Sequence, residues 1–311
     1  MAEEQARGGG WVSPLGLLTS ALVLAVGQPL VLVAVAFAML TFLAPAGRIW
    51  VLFLAVSMFA VVFAGQPFGG LWSLERGWAI VLGGWFVALS LVLPERPFLR
   101  RALPALVASV LCVGAILIAL GGWSWVESLV AQRIETGAEA TLRMIETAVQ
   151  GELPAGLPEA LTATVRVQGV LFPALLGLSS LAALGVAWWL HVRMYPRAGP
   201  GLSDLRDFRF SDALVWVLIS GLVLVLATEW SVGWGRLGTN LVTFMGALYM
   251  LRGVAVLAVV LGGLSFGAGL LLALALVLAG PVVALGTILV GVGDSWLDLR
   301  ARVARRRGGT A

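Results

Sequence analysis

Apolar runs follow one another along almost all of the 311-residue chain, and they constrain its fold more than any other feature. The hydrocarbon core of a bilayer needs roughly 20 apolar residues as helix, and fewer where a helix is short or buried in protein. We therefore expect an all-α, polytopic transmembrane helix bundle with about 8–10 membrane segments. The runs lie at residues 15–26, 29–43, 49–63, 78–93, 103–120, 170–190, 213–227, 241–261 and 264–292.

The composition excludes a soluble enzyme and several kinds of chemistry. Hydrophobic residues make up 60% of the chain and charged residues 12%, whereas soluble domains are about a quarter charged. Cys112 and His191 are the only residues of their types, which excludes an intrachain disulfide, a thiolate metal cage and a site with several imidazoles. None of the 20 basic residues is lysine, which excludes Schiff-base chemistry and a P-loop. We expect no metal, no other cofactor and no catalytic residue.

Three clusters of basic residues predict the orientation of the chain. They comprise Arg96, Arg100 and Arg101; His191, Arg193, Arg197, Arg206 and Arg209; and Arg300, Arg302, Arg305, Arg306 and Arg307. Cytoplasmic loops of membrane proteins carry an excess of arginine, which explains these residues without a nucleic acid. We expect one membrane domain over residues 1–311 in a bacterial inner membrane. Both termini would be cytoplasmic, with a basic amphipathic tail at residues 294–311.

The last apolar run raises the question of whether the number of spans after the second basic cluster is odd or even. Three spans after the second basic cluster would leave the C-terminal tail outside, although it carries five arginines. Proline removes a backbone donor and clashes with the preceding turn of a helix. We therefore expect Pro281 to split the run 264–292 into a hairpin of short helices.

A polar interval at residues 122–169 lies between two spans and falls on the outer face in this orientation. Its apolar residues recur at spacings of three, four and eight, while its glutamates lie largely elsewhere. The segment Leu153-Pro154-Ala155-Gly156 separates this helix from a second, shorter one at residues 157–167. We expect an extracytoplasmic amphipathic helical hairpin that is either a linker or a lid over an outward-facing cavity. The apolar positions are Val126, Val130, Ile134, Leu142, Ile145 and Val149.

Arg252 is a strongly ionisable residue deep in an apolar run. An arginine at such a position costs at least ~2.5–3.5 kcal/mol on insertion scales, so it should face protein or water rather than lipid. One interpretation is that Arg252 contacts a small anionic ligand in a polar cavity, with Asn240, Tyr249 and Glu229 as further ligand-binding residues. The other is that it snorkels, or pairs with Glu229 or Asp212.

Residues 291–294 read Gly-Val-Gly-Asp, which matches the GxGD signature of intramembrane aspartyl proteases. Their chemistry needs a second carboxylate that shares a proton with the first, and Asp212 alone begins a hydrophobic span. The tyrosine–aspartate pair of that family is missing. The alternative is that Asp294 caps a helix over residues 295–306. We assign Asp294, Asp298 and Arg300 to such a structural, capping role.

The C-terminal half contains an ordered series of residues: Phe208-Arg209-Phe210, Trp216, Asn240, Leu248-Tyr249, Gly253 and Gly293-Asp294-Ser295-Trp296-Leu297-Asp298-Leu299-Arg300. This series resembles the YybS-like family of uncharacterised bacterial multi-pass membrane proteins, a domain of unknown function. That family is distantly similar to the substrate-binding components of energy-coupling-factor transporters. The resemblance implies a small ligand bound from outside. It also implies a membrane coupling partner that docks on small residues of an early helix, here Ala21 and Ala25.

These observations leave three functional hypotheses. The first is a small-ligand-binding membrane component that resembles a transporter substrate-binding subunit. The second is a structural or assembly protein of the membrane, without enzymatic activity and without a small ligand. The third is a GxGD-type intramembrane aspartyl protease. Since the sequence has no Walker motif, transport driven by ATP would need a motor from a partner.

Overall fold

The computed structural model describes residues 29–43, 49–63, 70–149, 156–195, 199–260 and 266–302, and these contain helices and no strand. The predicted all-α fold class is therefore confirmed for the described residues. The expected first run at 15–26, with Ala21 and Ala25, lies outside them, as do Arg305, Arg306 and Arg307 of the tail. The described residues up to Leu202 form one compact unit, the N-terminal unit, and those from Ser203 onward form a second, the C-terminal unit.

The N-terminal unit is built around its first described helix, α1. This helix is apolar on every side, and residues 31–38 are all buried. A helix without a polar face has no side to present to water, so it occupies the centre of its unit. It packs against α2, α3 and α6. The helices of this unit are α1 Pro29–Leu43, α2 Ile49–Phe63, α3 Gly70–Val92, α4 Phe98–Ala119, α5 Trp123–Val149 and α6 Leu157–Met194.

Helix α3 begins eight residues earlier than the apolar run from Trp78 predicts, because the charge of Arg76 is satisfied inside the protein. Arg76 donates from Nε to the carbonyl of Val62 at 2.7 Å and from Nη1 to the carbonyl of Trp72 at 3.1 Å. Val62 is in the last turn of α2, whose final carbonyls have no partner within the helix and carry partial negative charge. The arginine therefore lies buried at the end of α2.

The polar interval contains a long amphipathic helix, α5. Val130 and Ile134 on its apolar stripe are buried, whereas Glu127, Glu135 and Glu139 are exposed. The apolar stripe packs on the neighbouring helices of the unit, and α5 contacts α6 and α3.

The second arm of the interval is not a separate short helix at 157–167, so that prediction is wrong. These residues are the first turns of α6, which continues for 38 residues to Met194. At 1.5 Å per residue, α6 is about 57 Å long. Pro158 lies in its first turn, where a missing N–H breaks no helical hydrogen bond, and Pro173 is accommodated inside it.

The described part of the C-terminal unit includes the helices α7 Val215–Ala227, α8 Gly233–Val260 and α9 Phe266–Leu297, and residues 299–302 are also helical. Short 3₁₀ turns at Leu205–Asp207 and Asp212–Leu214 precede α7. Helices α7 and α8 form an antiparallel hairpin through the turn at residues 228–232. They approach closely at Gly221 and Gly238, where a Cβ on Gly238 would lie 2.7 Å from the Gly221 carbonyl oxygen. Small residues at such a position let two helix backbones come together.

The backbone of α9 breaks at Ala279, where φ is −134° and ψ is 39°. The break lies two residues before Pro281, whose ring crowds the carbonyl of residue 277 and whose nitrogen cannot donate to it. The sequence therefore predicted the position of the break to within two residues. The predicted reversal of the chain at this point stays a prediction.

Five helices of the described residues are long and apolar enough to cross a membrane, namely Gly70–Val92, Phe98–Ala119, Glu159–Met194, Gly233–Val260 and Ala279–Leu297. Three shorter apolar helices accompany them, at Pro29–Phe42, Val51–Phe63 and Asp212–Ala227. Large apolar side chains such as Ile118, Leu226 and Leu289 are exposed on these helices. Extended exposed apolar surface of this kind indicates contact with lipid. The chain folds as a polytopic helical membrane protein.

Helices α8 and α9 are in backbone contact at two glycines. A Cβ on Gly253 would meet the carbonyl oxygen of Thr287, and a Cβ on Gly291 would meet the carbonyl oxygen of Tyr249. Neither backbone atom can move aside as the end of a flexible side chain could. This contact is what brings the C-terminal end of α9 beside residues 249–253.

We predict that Gly291→Ala destabilises the protein by about 1–3 kcal/mol, the usual cost of overpacking. Gly293→Ala is the matched control, because it lies on the same helix and a Cβ there would have no neighbour within 4 Å. Alanine raises helix propensity equally at both positions. Thermal unfolding in detergent measures the difference. Equal stability of the two variants would contradict the backbone contact.

Candidate functional site

The candidate site is a cluster of four charged side chains in the C-terminal unit: Asp212, Arg252, Asp294 and Arg300. It begins with Arg252 on α8, which is 3% exposed. The antiparallel hairpin of α7 and α8 brings Asp212, just before α7, to the same end as Arg252 on α8. Arg252 donates from Nη1 to Oδ1 of Asp212 at 2.7 Å.

Asp294 on α9 is the second acceptor for Arg252. Its side chain is completely buried, and Oδ2 accepts from Nε of Arg252 at 3.0 Å. The glycine contact between α8 and α9 is responsible for this proximity, since Gly253 directly follows Arg252 and Gly291 lies about one helical turn before Asp294. Arg252 therefore lies between two carboxylates and bonds to one through each side of its guanidinium.

Arg300 completes the cluster from the segment after α9. It donates to Oδ2 of Asp294 from Nε at 3.2 Å and from Nη2 at 2.7 Å. Its Nη1 donates to the carbonyls of Arg206 at 3.0 Å and Phe208 at 3.1 Å. The cluster thereby joins the segment before α7, helices α8 and α9, and the start of the tail.

Aromatic rings cover the cluster on the side of the segment 208–210. The Phe210 ring lies 5.0 Å from the Tyr249 ring and 5.5 Å from the guanidinium carbon of Arg252. Phe208 packs edge to face on Phe210 at 6.0 Å. These rings lower the local dielectric constant, which strengthens the ion pairs beneath them.

The cluster is electrically balanced, because two guanidinium groups face two carboxylates. An aspartyl-protease dyad needs two carboxylates that share one proton, whereas here the guanidinium of Arg252 hydrogen-bonds to both Asp212 and Asp294. The arrangement therefore does not match the chemistry of a GxGD protease. In the part of the chain that the structure describes, no group of three or more His, Cys, Asp or Glu side chains could hold a metal ion.

Three buried oxygens beside the cluster make no hydrogen bond of good geometry among the described residues. All three donors on Asp294 reach Oδ2, so Oδ1 is one of them. The other two are the hydroxyl oxygens of Tyr249 and Ser295, which interact with each other without forming a well-aligned bond. An oxygen acceptor and two hydroxyl donors at one helix crossing form a polar site that water or a ligand group could satisfy.

The remaining predicted ligand-binding residues lie elsewhere in the C-terminal unit. Asn240 donates from Nδ2 to the carbonyl of Arg236, three turns of α8 before Arg252. Glu229 is exposed in the turn between α7 and α8 and accepts from Ser231. The prediction that they are near neighbours of Arg252 is wrong. Of the predicted set, only Tyr249 lies in the cluster with Arg252.

The expectation that Asp294 caps a following helix is also wrong, because α9 runs through Asp294 and ends at Leu297. The chain turns at Asp298, whose φ of 43° is left-handed, a conformation that aspartate adopts more readily than most residues. The Asp298 carboxylate accepts from Arg209 at 3.0 Å rather than from a helix N–H. This second ion pair is exposed.

Sequence reasoning missed two buried charges in the N-terminal unit, Arg76 and Arg101. Arg101 was assigned to a basic loop, but it lies in the first turn of α4 and its exposure is 0%. A signal was present, because Arg101 shares a helix face with the small residues Ala105 and Ser109 at spacings of four. Small residues at that spacing indicate a face in close contact with another helix.

The chain belongs to the family described as predicted membrane protein (DUF2232), whose model matches residues 13–295. No curated protein and no solved structure matches the chain. The family description names a membrane protein and no activity or substrate. The narrower resemblances to YybS-like proteins and to energy-coupling-factor components stay predictions.

We predict that Asp294→Asn destabilises the protein by about 3–5 kcal/mol, because it removes the shared counter-charge of two buried guanidinium groups. A helix-capping role would predict almost no effect, since asparagine caps as well as aspartate. The control is Asp298→Asn, which keeps a residue tolerant of left-handed backbone and breaks an exposed pair worth about 0.2–1 kcal/mol. Thermal unfolding in detergent compares the two. Equal losses would refute the structural importance of the buried pair.

Proposed function

We propose that the protein is a non-enzymatic structural or assembly component of the membrane, and that its arginine–aspartate cluster acts as a clasp. The observation that carries the proposal is the internal neutralisation of Arg252 by Asp212 and Asp294. A membrane arginine that awaited an anionic ligand would lack such partners. Here the intramembrane charge that suggested a ligand has its counter-charges within the chain.

The connectivity of the clasp supports this role. One buried oxygen, Oδ2 of Asp294, receives donors from α8 and from the segment after α9. The same arginine that binds it from the tail also holds the carbonyls of Arg206 and Phe208. Four stretches of chain are thus fixed together at one end of the C-terminal unit. Such a rigid end provides a stable surface for assembly.

We further propose that this end faces the cytoplasm of a bacterial inner membrane. Residues 206–209 and 298–300 carry two of the predicted cytoplasmic basic clusters, and they lie beside one another in the C-terminal unit. Arg252 is about 29 Å along α8 from Gly233, which is close to the thickness of a bilayer core. The clasp therefore fits the boundary between the membrane and the cytoplasm.

The second candidate function is that of a small-ligand-binding membrane component. The unpaired buried oxygens of Asp294, Tyr249 and Ser295 favour it. Buried polar atoms without a partner cost free energy, so a bound polar group there would be stabilised. This candidate also keeps the proposed docking of a coupling partner at Ala21 and Ala25.

We predict that Ser203→Cys and Arg302→Cys, each in a Cys112→Ala background, are protected from a membrane-impermeant thiol reagent in intact cells. Both positions are exposed near the clasp, so disruption of the membrane should make both reactive. Thr141→Cys on the polar face of α5 is the control and should react in intact cells. Labelling of Ser203→Cys or Arg302→Cys before disruption would overturn the orientation.

Tyr249→Phe separates the two candidate functions, because it removes only a hydroxyl group that makes no hydrogen bond of good geometry among the described residues. For a structural component, we predict unchanged or slightly higher stability and full complementation of a deletion strain. For a ligand-binding component, the variant would be equally stable but would fail to complement. Arg252→Lys is the companion variant, since it keeps the charge but loses the fork that bonds to two aspartates. The structural proposal requires that Arg252→Lys loses complementation only in proportion to the amount of folded protein that it loses.

A further inference from the structure

Arg101, in the N-terminal unit, is a buried cation without a counter-charge among the residues that the structure describes. Its exposure is 0%, and Nε, Nη1 and Nη2 are all buried without a hydrogen-bond partner among the described residues. It also makes no ion pair within the part of the chain that the structure describes. A guanidinium has five N–H donors and cannot give up its charge in a protein. Removing it from water without compensation costs several kcal/mol.

Among the described residues, an aromatic ring contacts this charge. The guanidinium carbon of Arg101 lies 4.1 Å from the centre of the Trp188 ring. A cation on a tryptophan face is worth about 0.5–2 kcal/mol, which is less than the cost of burial. The Trp188 ring is itself fixed, because its Nε1 donates to the carbonyl of Pro200 at 3.0 Å and Phe86 packs on it edge to face.

A second buried donor or acceptor lies against the same ring. The His191 imidazole is 5.7 Å from Trp188, and its Nδ1 is buried with no partner among the described residues. Two nitrogen-bearing side chains therefore converge on Trp188 with unused hydrogen-bonding atoms. Arg101 and His191 come from two different helices, α4 and α6.

The local backbone field also favours an anion. Arg100 and Arg101 lie in the first turn of the 22-residue helix α4, where free N–H groups and the helix dipole disfavour cations and favour negative groups. Exposed Arg96, Arg100 and Arg193 add positive charge nearby. Glu95 is exposed as well and makes no ion pair with Arg101. The site therefore has an excess of positive charge, in contrast to the balanced cluster of the C-terminal unit.

We propose that Arg101 binds a phosphate group, with His191 as a second contact and Trp188 as the floor of the site. The planar fork of arginine matches the oxygens of phosphate, and several surrounding arginines suit an anion that carries more than one charge. Two sources share this chemistry: an anionic lipid headgroup and free phosphate. Both reach the end of a membrane-spanning helix, where Arg101 lies.

The test measures the unfolding midpoint of the full-length, delipidated protein in neutral detergent by tryptophan fluorescence. Sodium phosphate is titrated against sodium chloride at equal ionic strength. In a second arm, nanodiscs of phosphatidylglycerol are compared with nanodiscs of phosphatidylcholine. We expect a saturable upward shift of several degrees in one arm. A shift with sodium phosphate identifies free phosphate, and a shift confined to phosphatidylglycerol identifies a lipid headgroup.

Arg101→Met should abolish that shift, and without the anion it should unfold at the same or a higher temperature than the wild type, since it removes an unpaired buried charge. Arg100→Met is the matched control, because it removes an exposed charge from the same helical turn and should keep the shift. If Arg101→Met does not fold, Arg101→Lys takes its place in the test. This variant should need at least tenfold more of the anion to reach half of the full shift in the unfolding midpoint. The proposal is overturned if the unfolding midpoint of the wild type rises in neither arm. It is also overturned if the unfolding midpoint of the Arg101 variant rises as much as that of the wild type.

Discussion

The C-terminal unit depends on one buried carboxylate oxygen that receives two arginines. Oδ2 of Asp294 accepts from Arg252 and from Arg300, and both arginines are almost inaccessible to solvent. Such charges are stable in a low-dielectric interior only when they are paired and hydrogen-bonded. Each of these three side chains is therefore held in place by its hydrogen bonds to the others. Arg252 extends the network to Asp212, and Arg300 extends it to the backbone of residues 206–208.

Close packing of glycines is the condition for that network. Residues 253 and 291 let the backbones of α8 and α9 touch, and residues 221 and 238 do the same for α7 and α8. Helices held further apart would leave an arginine that could reach only one carboxylate. In the N-terminal unit, the buried charge of Arg76 is stabilised by backbone carbonyls instead of carboxylates. One of these carbonyls, that of Val62, is at the end of a neighbouring helix. In both units, the energetic problem is how to keep an arginine charged away from water.

Much of the fold could be predicted from the sequence, because apolar runs with polar boundaries define helices directly. The helices at 29–43 and 49–63 have the predicted bounds. The start of α3 was missed because the partner of Arg76 comes from another helix and is not visible in the local sequence. Asn240 was misplaced for a simpler reason: twelve residues along a helix are about 18 Å. The pairing of Arg252 with Asp212 was one of the open alternatives, whereas its pairing with Asp294 depends on a helix crossing that no local pattern specifies.

Helix α6 has a mechanical consequence. The ladder of backbone hydrogen bonds makes a helix stiff along its axis, and in α6 one interior donor is missing from it, at Pro173. Because α6 is one piece from Leu157 to Met194, the segment that packs with α5 and the segment that carries Trp188 and His191 belong to the same rod. A push or tilt applied to the α5 end is therefore transmitted along α6, with Pro173 as the point where the rod can flex.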